Sequence, residues 1–337
     1  MTGGGVRNVA VLGAGSWGTA LAMQLLRGET PALLWGRNPE HVEAMQVARC
    51  NQRFLPDSRF PDGLSLEPSL EKAVRSAEEV LIAVPSHAFA EIVRQIKPWL
   101  RPGQGIAWAC KGLEPGSGHF LHQAATQIIG ANRPLAVVTG PSFATEVAAN
   151  LPTAVTVAGT DDDHCARIAQ ALHGGNFRAY TSDDIVGAEL GGAVKNVLAV
   201  ATGISDGMGL GNNARAALLT RGLAEMMRLG RVLGAREQTL TGLAGMGDLV
   251  LTSTGDLSRN RRLGLALGAG KSVQEAVAEI GQVVEGVSTS GEVWRLARRH
   301  AVDMPISEQV NGIIHKGWDP SQSVRTLLSR EQKPERG

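Results

Sequence analysis

The feature that most constrains this chain is a change of rhythm near Asp183. Before it, short and nearly unbroken apolar runs recur at 8–12 (NVAVL), 32–35, 80–84 (VLIAV), 105–109, 135–138 (LAVV) and 154–158. A short run that is apolar throughout predicts a strand covered on both faces. Stretches with helical spacing lie between the runs, at 19–27, 41–48, 89–99, 120–129 and 164–172. Strand, helix, strand is the grammar of a doubly wound, mostly parallel sheet. After Asp183 the strand signal disappears, and long helical patterns take over at 185–203, 214–233, 272–280, 289–301 and 307–316. At 337 residues the chain also exceeds what one core usually serves. The expectation is an α/β domain over 1–183 and an all-α domain over 184–337, with a charged, frayed tail at 331–337.

Charge excludes some classes of partner. With 33 basic and 32 acidic residues the net charge is +1, so no global field draws the chain to nucleic acid or an anionic surface. The three cysteines (Cys50, Cys110, Cys165) match no metal-binding spacing and cannot form a closed disulfide set. No metal site is expected, and a reducing compartment fits best. The start of the chain shows no signal-peptide pattern, and no apolar run approaches membrane-spanning length; the best, at 194–204, is short. These readings give a cytoplasmic protein that neither enters a membrane nor binds nucleic acid.

Residues 13–18 read Gly13-Ala14-Gly15-Ser16-Trp17-Gly18, a GxGxxG string. With 42 glycines in the chain the bare pattern decides little. Its placement matters more, directly after the first apolar run and at the opening of a helical stretch. There Gly13 makes a tight turn, Gly15 lets the backbone approach a pyrophosphate, and Gly18 lets helix pack on strand. Free N–H groups at the helix start donate to the phosphate oxygens. After the second run the chain reads Trp35-Gly36-Arg37-Asn38, with no acid to accept from a ribose 2′-OH. Arg37 suits a 2′-phosphate, which favours NADP over NAD; the competing reading is a solvated surface arginine. Val84-Pro85-Ser86-His87 reads as a loop at the cofactor's edge, with His87 structural rather than catalytic.

Hydride transfer to a ketone needs a proton donor at the carbonyl oxygen. Lys195, in Gly191-Gly192-Ala193-Val194-Lys195-Asn196, is the best candidate. A lysine among apolar residues and glycines either snorkels to water or is held in a cleft, where burial lowers its pKa. Asp248, at the end of the glycine-rich 242–248, either orients that lysine or caps a helix. The run Ser258-Arg259-Asn260-Arg261-Arg262 offers forked donors for a phosphate, with a solvated helix face as the alternative for Arg261 and Arg262. Lys111 and the segment Gly140-Pro141-Ser142-Phe143-Ala144 follow apolar strands, where ligands of such sheets bind.

Together the strings GAGSWGTAL, VPSH, KGLE, GPSFA, GGAVKN, TRGLAEM, GDL, SRNRR and GQVVEG, from residue 13 to about 286, resemble the bacterial NAD(P)-dependent glycerol-3-phosphate dehydrogenases. The resemblance implies a Rossmann-type domain followed by a helical domain like that of 6-phosphogluconate dehydrogenase. It implies interconversion of dihydroxyacetone phosphate and sn-glycerol 3-phosphate, a phospholipid precursor, by a homodimer using NADP or NAD. By resemblance Lys195 is the general acid/base. Lys111, Gly140, Ser142, Asp248, Ser258, Arg259 and Asn260 contact substrate. Ser16, Trp17, Arg37, Lys111, Ala144, Arg259, Val283 and Glu285 contact cofactor. Cys110 departs from the pattern, where Ser or Thr commonly precedes the lysine, and adds an oxidisable position. Two rival readings are a hydroxyacid or sugar-acid dehydrogenase on the same scaffold and a nucleotide sensor without turnover.

Overall fold

The computed structural model describes residues 8–331; the expectations for 1–7 and 332–337 lie outside the described residues. The strands are β1 (Val9–Leu12), β2 (Ala32–Trp35), β3 (Cys50–Asn51), β4 (Leu55–Arg59), β5 (Ser65–Glu67), β6 (Glu79–Ile82), β7 (Ile106–Trp108), β8 (Leu135–Thr139), β9 (Thr153–Gly159) and β10 (Phe177–Ser182). Eight of them form one sheet, in the order β10-β9-β8-β7-β6-β1-β2-β5, and β3 pairs with β4 as a separate hairpin. All neighbours in the large sheet run parallel except β8 and β9, so β9 and β10 oppose the rest. The link 140–152 leaves β8 and re-enters at the same end of the sheet. It makes no full crossover, so its strand must return antiparallel.

Helices α1 (Ser16–Arg27), α2 (Pro39–Ala48), α3 (Leu70–Ser76), α4 (Ser86–Ile96), α5 (Leu121–Ile129), α6 (Ala144–Ala148) and α7 (Asp162–Leu172) accompany the sheet. The two-residue period of β1 shows why it must be apolar throughout. Val9 and Val11 pack with α1 and α7 residues on one face, while Ala10 and Leu12 pack with α3, α4 and α5 residues on the other. β1 lies between β2 and β6, and the strand order reverses there. Crevices at such a reversal, beyond the strands' carboxyl ends, take ligands in these folds.

The last strand ends at Ser182, and the rest is helical: α8 (Ile185–Gly207), α9 (Gly211–Leu233), α10 (Glu237–Thr241), α11 (Asp248–Thr254), α12 (Arg259–Gly268), α13 (Val273–Ile280), α14 (Glu285–Arg299), α15 (Pro305–Lys316) and α16 (Pro320–Leu328). A π-helical turn, Leu243–Gly247, joins α10 to α11. Helix α8 is the axis, packed by α9, α11, α12, α14 and α15. It corrects one expectation, since its 23 residues are long and apolar enough to cross a membrane. Its apolar window is 94% buried inside the protein, which is the position of a core helix. It meets α12 through glycines. A Cβ on Gly203 would sit 2.2 Å from the Arg261 carbonyl, and one on Gly264 2.2 Å from that of Val200. That close crossing brings the start of α12 against the middle of α8.

Candidate active site

The loop after β1 is built from backbone. Gly13 has φ 128°, and a Cβ there would lie 2.5 Å from Ala83 O; a Cβ on Gly18 would lie 1.9 Å from Gly13 O. The protein's own packing demands those two glycines. Gly15 is different, because its φ of −81° and ψ of −178° suit any residue and a Cβ there meets nothing within 4 Å. It keeps clear a space outside the chain. No side chain caps α1, so the unpaired N–H groups of its first turn face that space. Ser16 Oγ turns away and donates to Phe54 O at 2.8 Å, and Trp17 Nε1 is buried without a partner. An open concavity with free N–H groups at a reversal of strand order fits a dinucleotide pyrophosphate. Arg37 stands exposed just past β2, and Asn38 caps α2 by accepting from the backbone of Glu40 and His41.

The second part of the site is built from charged side chains. Lys195, on the central helix α8, is buried with its side chain 8% exposed. Lys195 Nζ donates to Asp248 Oδ1 at 2.6 Å and to Thr252 Oγ1 at 2.9 Å. Asp248 opens α11, and its carboxylate is not a helix cap. Its other oxygen accepts from Lys111 Nζ at 2.8 Å. Lys111 Nζ also reaches Gly140 O at 2.8 Å and Ser142 Oγ at 3.4 Å, tying the loops after β7 and β8 to the cluster. The two glycines before Lys195 make the assembly possible. A Cβ on Gly191 would strike Ala244 O at 2.4 Å, and one on Gly192 would crowd Thr139 Oγ1 at 3.1 Å. The π-helical turn before Asp248 is a distortion often found at functional sites.

Electrostatics follow from this geometry. Burial lowers the Lys195 pKa to about 8; Asp248 opposes the shift, and the Lys111 charge adds to it. Burial alone would raise the Asp248 carboxyl, but Lys111 and then Lys195 hold it below the usual range. The cluster is thus two cations around one anion. An ammonium has three donors. The three bonds of Lys111 use all of its donors, whereas Lys195 has one left for a ligand oxygen.

The other expected residues divide into two groups. Ser258 caps α12, with Oγ accepting from Arg261 N. Asn260 Nδ2 donates to Asn196 Oδ1 at 2.8 Å, and its Oδ1 accepts from Gly286 N at 2.9 Å. Asn196 in turn donates to Lys111 O at 2.8 Å. A continuous hydrogen-bond chain therefore runs from α12 through α8 to Lys111. Arg259 is exposed at the start of α12, donating to Val283 O at 2.8 Å and Gln282 Oε1 at 3.5 Å. Glu285 accepts from Ser86 N at 3.1 Å and from Ser86 Oγ, so the start of α14 grips the start of α4. Ala144 lies apart from the charged cluster, in the first turn of α6 where α6 packs on α1.

Three expectations are corrected. Cys110 is buried, and burial pushes its thiol well above the ordinary range, which keeps it from reacting as a thiolate. Arg261, read as a forked donor for a phosphate with a solvated face as the alternative, is neither: it is buried and committed to Asp206 at 2.9 Å and Asp256 at 2.7 Å. His87 is exposed rather than structural, and its neighbour Ser86 makes the contacts. Sequence reasoning passed over Thr252 and Asn51, and it quoted Ser86 and Asn196 only inside the motifs VPSH and GGAVKN, with no role of their own. Thr252 had a signal, because it follows Asp248 by four residues and shares its helix face. Asn51, which donates to Ala14 O at 3.0 Å and Thr19 Oγ1 at 2.8 Å, had none.

Comparison with known proteins places this geometry in a lineage. Residues 8–165 match the family profile described as NAD-dependent glycerol-3-phosphate dehydrogenase N-terminus, and residues 184–325 match the profile of its C-terminus. A Stenotrophomonas maltophilia protein named glycerol-3-phosphate dehydrogenase (NAD(P)+) is 59% identical over 327 residues, 97% of this chain and 96% of the relative. The crystal structure of glycerol-3-phosphate dehydrogenase from Coxiella burnetii superposes with a TM-score of 0.93 at 49% identity, covering 96% of this chain and 99% of that one. A ketopantoate reductase from Ralstonia eutropha, at 16% identity and a TM-score of 0.61, covering 94% of this chain and 99% of that one, shares the fold alone. The chain belongs to the NAD-dependent glycerol-3-phosphate dehydrogenase family.

Proposed function

We propose that this chain interconverts dihydroxyacetone phosphate and sn-glycerol 3-phosphate with NAD(P)H, and that Lys195 is its general acid/base. One observation carries the assignment of Lys195. Of the two lysines on Asp248, only Lys195 keeps a free donor, and its pKa of about 8 lets it lose and regain a proton near neutrality. Bound in the cradle at Gly13, Gly15 and Gly18, with Ser16 and Trp17 beside it, NAD(P)H supplies the hydride. Lys195 delivers the proton to the carbonyl oxygen of the ketone and, in the reverse direction, takes it from the hydroxyl. Asp248 and Thr252 hold its Nζ in place, and Lys111 holds Asp248. With two cations around one carboxylate, the pocket has spare positive charge to stabilise oxygen as it becomes negative.

The substrate phosphate belongs at the start of α12. The side chains of Ser258 and Asn260 are already engaged there, which leaves for the anion the first backbone N–H groups of the helix and the part of the Arg259 fork not bonded to Val283 O and Gln282. Gly140 and Ser142 shape the pocket through Lys111, while Ala144, Val283 and Glu285 border the cofactor. Arg37, with no acid beside it, favours NADPH. The boundary between domains falls at 183/184. The wider reading is a cytoplasmic homodimer that supplies glycerol 3-phosphate for phospholipid synthesis; the free thiols of all three cysteines support the compartment. A sensor without turnover has no use for a buried lysine with a spare donor. The test is oxidation of NADPH and NADH with and without dihydroxyacetone phosphate. Oxidation that depends on the ketone supports the reading, and none with either nucleotide defeats it.

A further inference from the structure

We propose that Arg53, in the turn between β3 and β4, is a further cofactor-binding residue whose guanidinium meets the pyrophosphate of the dinucleotide. The proposal rests on the reading that the loop after β1 cradles NAD(P). That turn is fixed onto the cradle from both sides. Asn51, fully buried, donates to Ala14 O and Thr19 Oγ1, and Phe54 O accepts from Ser16 Oγ. The ring of His41 meets the Phe54 ring edge-on at 5.7 Å, closing the third side. Arg53 lies between these two anchors, so its backbone is held beside the first turn of α1. Its side chain is exposed, with the guanidinium carbon 5.0 Å from the centroid of the Phe54 ring. Among the described residues it makes no ion pair or hydrogen bond.

The stacking limits where the guanidinium can go while leaving its N–H donors free, which lowers the entropy lost when it meets an anion. The α1 terminus offers only partial positive charge, whereas a pyrophosphate carries full negative charge, and a forked cation complements it. The other arginines of the hairpin serve different ends. Arg49 is committed to the carbonyls of Leu64 and Pro61. Arg59 pairs in register with Cys50, away from the turn. Arg37, past the end of β2, is placed for a ribose phosphate instead.

Titration of NADH and NADPH by nicotinamide fluorescence tests this in the wild type and in Arg53→Gln, Arg37→Gln and Arg59→Gln. Arg53→Gln is expected to weaken both nucleotides alike, by about tenfold, the loss typical of a charge-assisted hydrogen bond. Arg37→Gln should weaken NADPH more than NADH, and Arg59→Gln neither. Unchanged binding by Arg53→Gln overturns the proposal, and so does a loss confined to NADPH, which would move Arg53 to the ribose phosphate. A wild type that binds neither nucleotide defeats the underlying reading of the cradle instead.

Discussion

At the end of β1 the chain offers backbone N–H groups and cleared space; at the middle of α8 it gathers two lysines around one carboxylate. The cradle spans six consecutive residues, and its geometry is set by glycine conformations and by the close approach of α1 to β6. The charged cluster gathers Lys111, Lys195 and Asp248 from segments up to 137 residues apart. The difference is one of purpose. A pyrophosphate, as proposed for the cradle, would be held without chemical change, so fixed dipoles suffice. A proton must move to and from the ketone oxygen, which needs a group whose pKa the protein has pulled toward neutrality. The cradle should therefore respond to added volume, and the cluster to altered charge.

The largest effect is expected on the charged side. Lys195→Ala should lower kcat by about a thousandfold, within the range for loss of a general acid, while NADPH titration shows binding close to that of the wild type. A variant that loses nucleotide binding to the same degree would merge the two regions. Asp248→Asn comes next. It leaves the buried Lys195 and the partly buried Lys111 without their anion, a loss of the kind that costs about 3–5 kcal/mol for a buried pair. Both kcat and Tm should fall, the first by roughly a hundredfold. An unchanged Tm would show that the lysines find other partners.

On the cradle side the comparison can be sharpened within one loop. Gly15→Ala should raise the KM for cofactor by about tenfold, the measure of one displaced phosphate hydrogen bond, with Tm unmoved because its Cβ meets no protein atom. Gly18→Ala should lower Tm, because its Cβ would collide with the Gly13 carbonyl. Equal loss of Tm in both variants would make Gly15 a packing residue and take away the argument that it clears space for a ligand.

The same contrast explains what was legible in the sequence. The cradle is local, so Gly13, Gly15 and Gly18 could be given roles from their order after an apolar run. The sheet was legible wherever strands are buried on both faces. β5 and β10 escaped, because edge strands such as Phe177–Ser182 alternate and expose polar residues. The helices of the second half were visible where they are long. α10, α11, α12 and α16 were not: α10 and α11 have five and seven residues, too few to show a period, and α12 spends Gly264 and Gly268 on its close crossing with α8. Lys195 stood out as a charge in an apolar stretch. That it shares Asp248 with Lys111, and that Lys111 alone has used its donors, depends on contacts no spacing rule encodes. Glu285 reaching Ser86 across 199 residues is of the same kind.

The central claim is that Lys195 gives the proton to the ketone. Its folded pKa of about 8 lies below the ordinary lysine value, so the ammonium form that donates is present below that pH and is lost as pH rises through it. The most direct measurement is kcat for dihydroxyacetone phosphate reduction at saturating NADPH, from roughly pH 6 to pH 10, with the reverse oxidation followed over the same range. The account predicts a plateau at low pH and a fall above about 8, with oxidation rising through the same window. A reduction rate that is level across the whole range, or a fall that persists unchanged in Lys195→Ala, would contradict it.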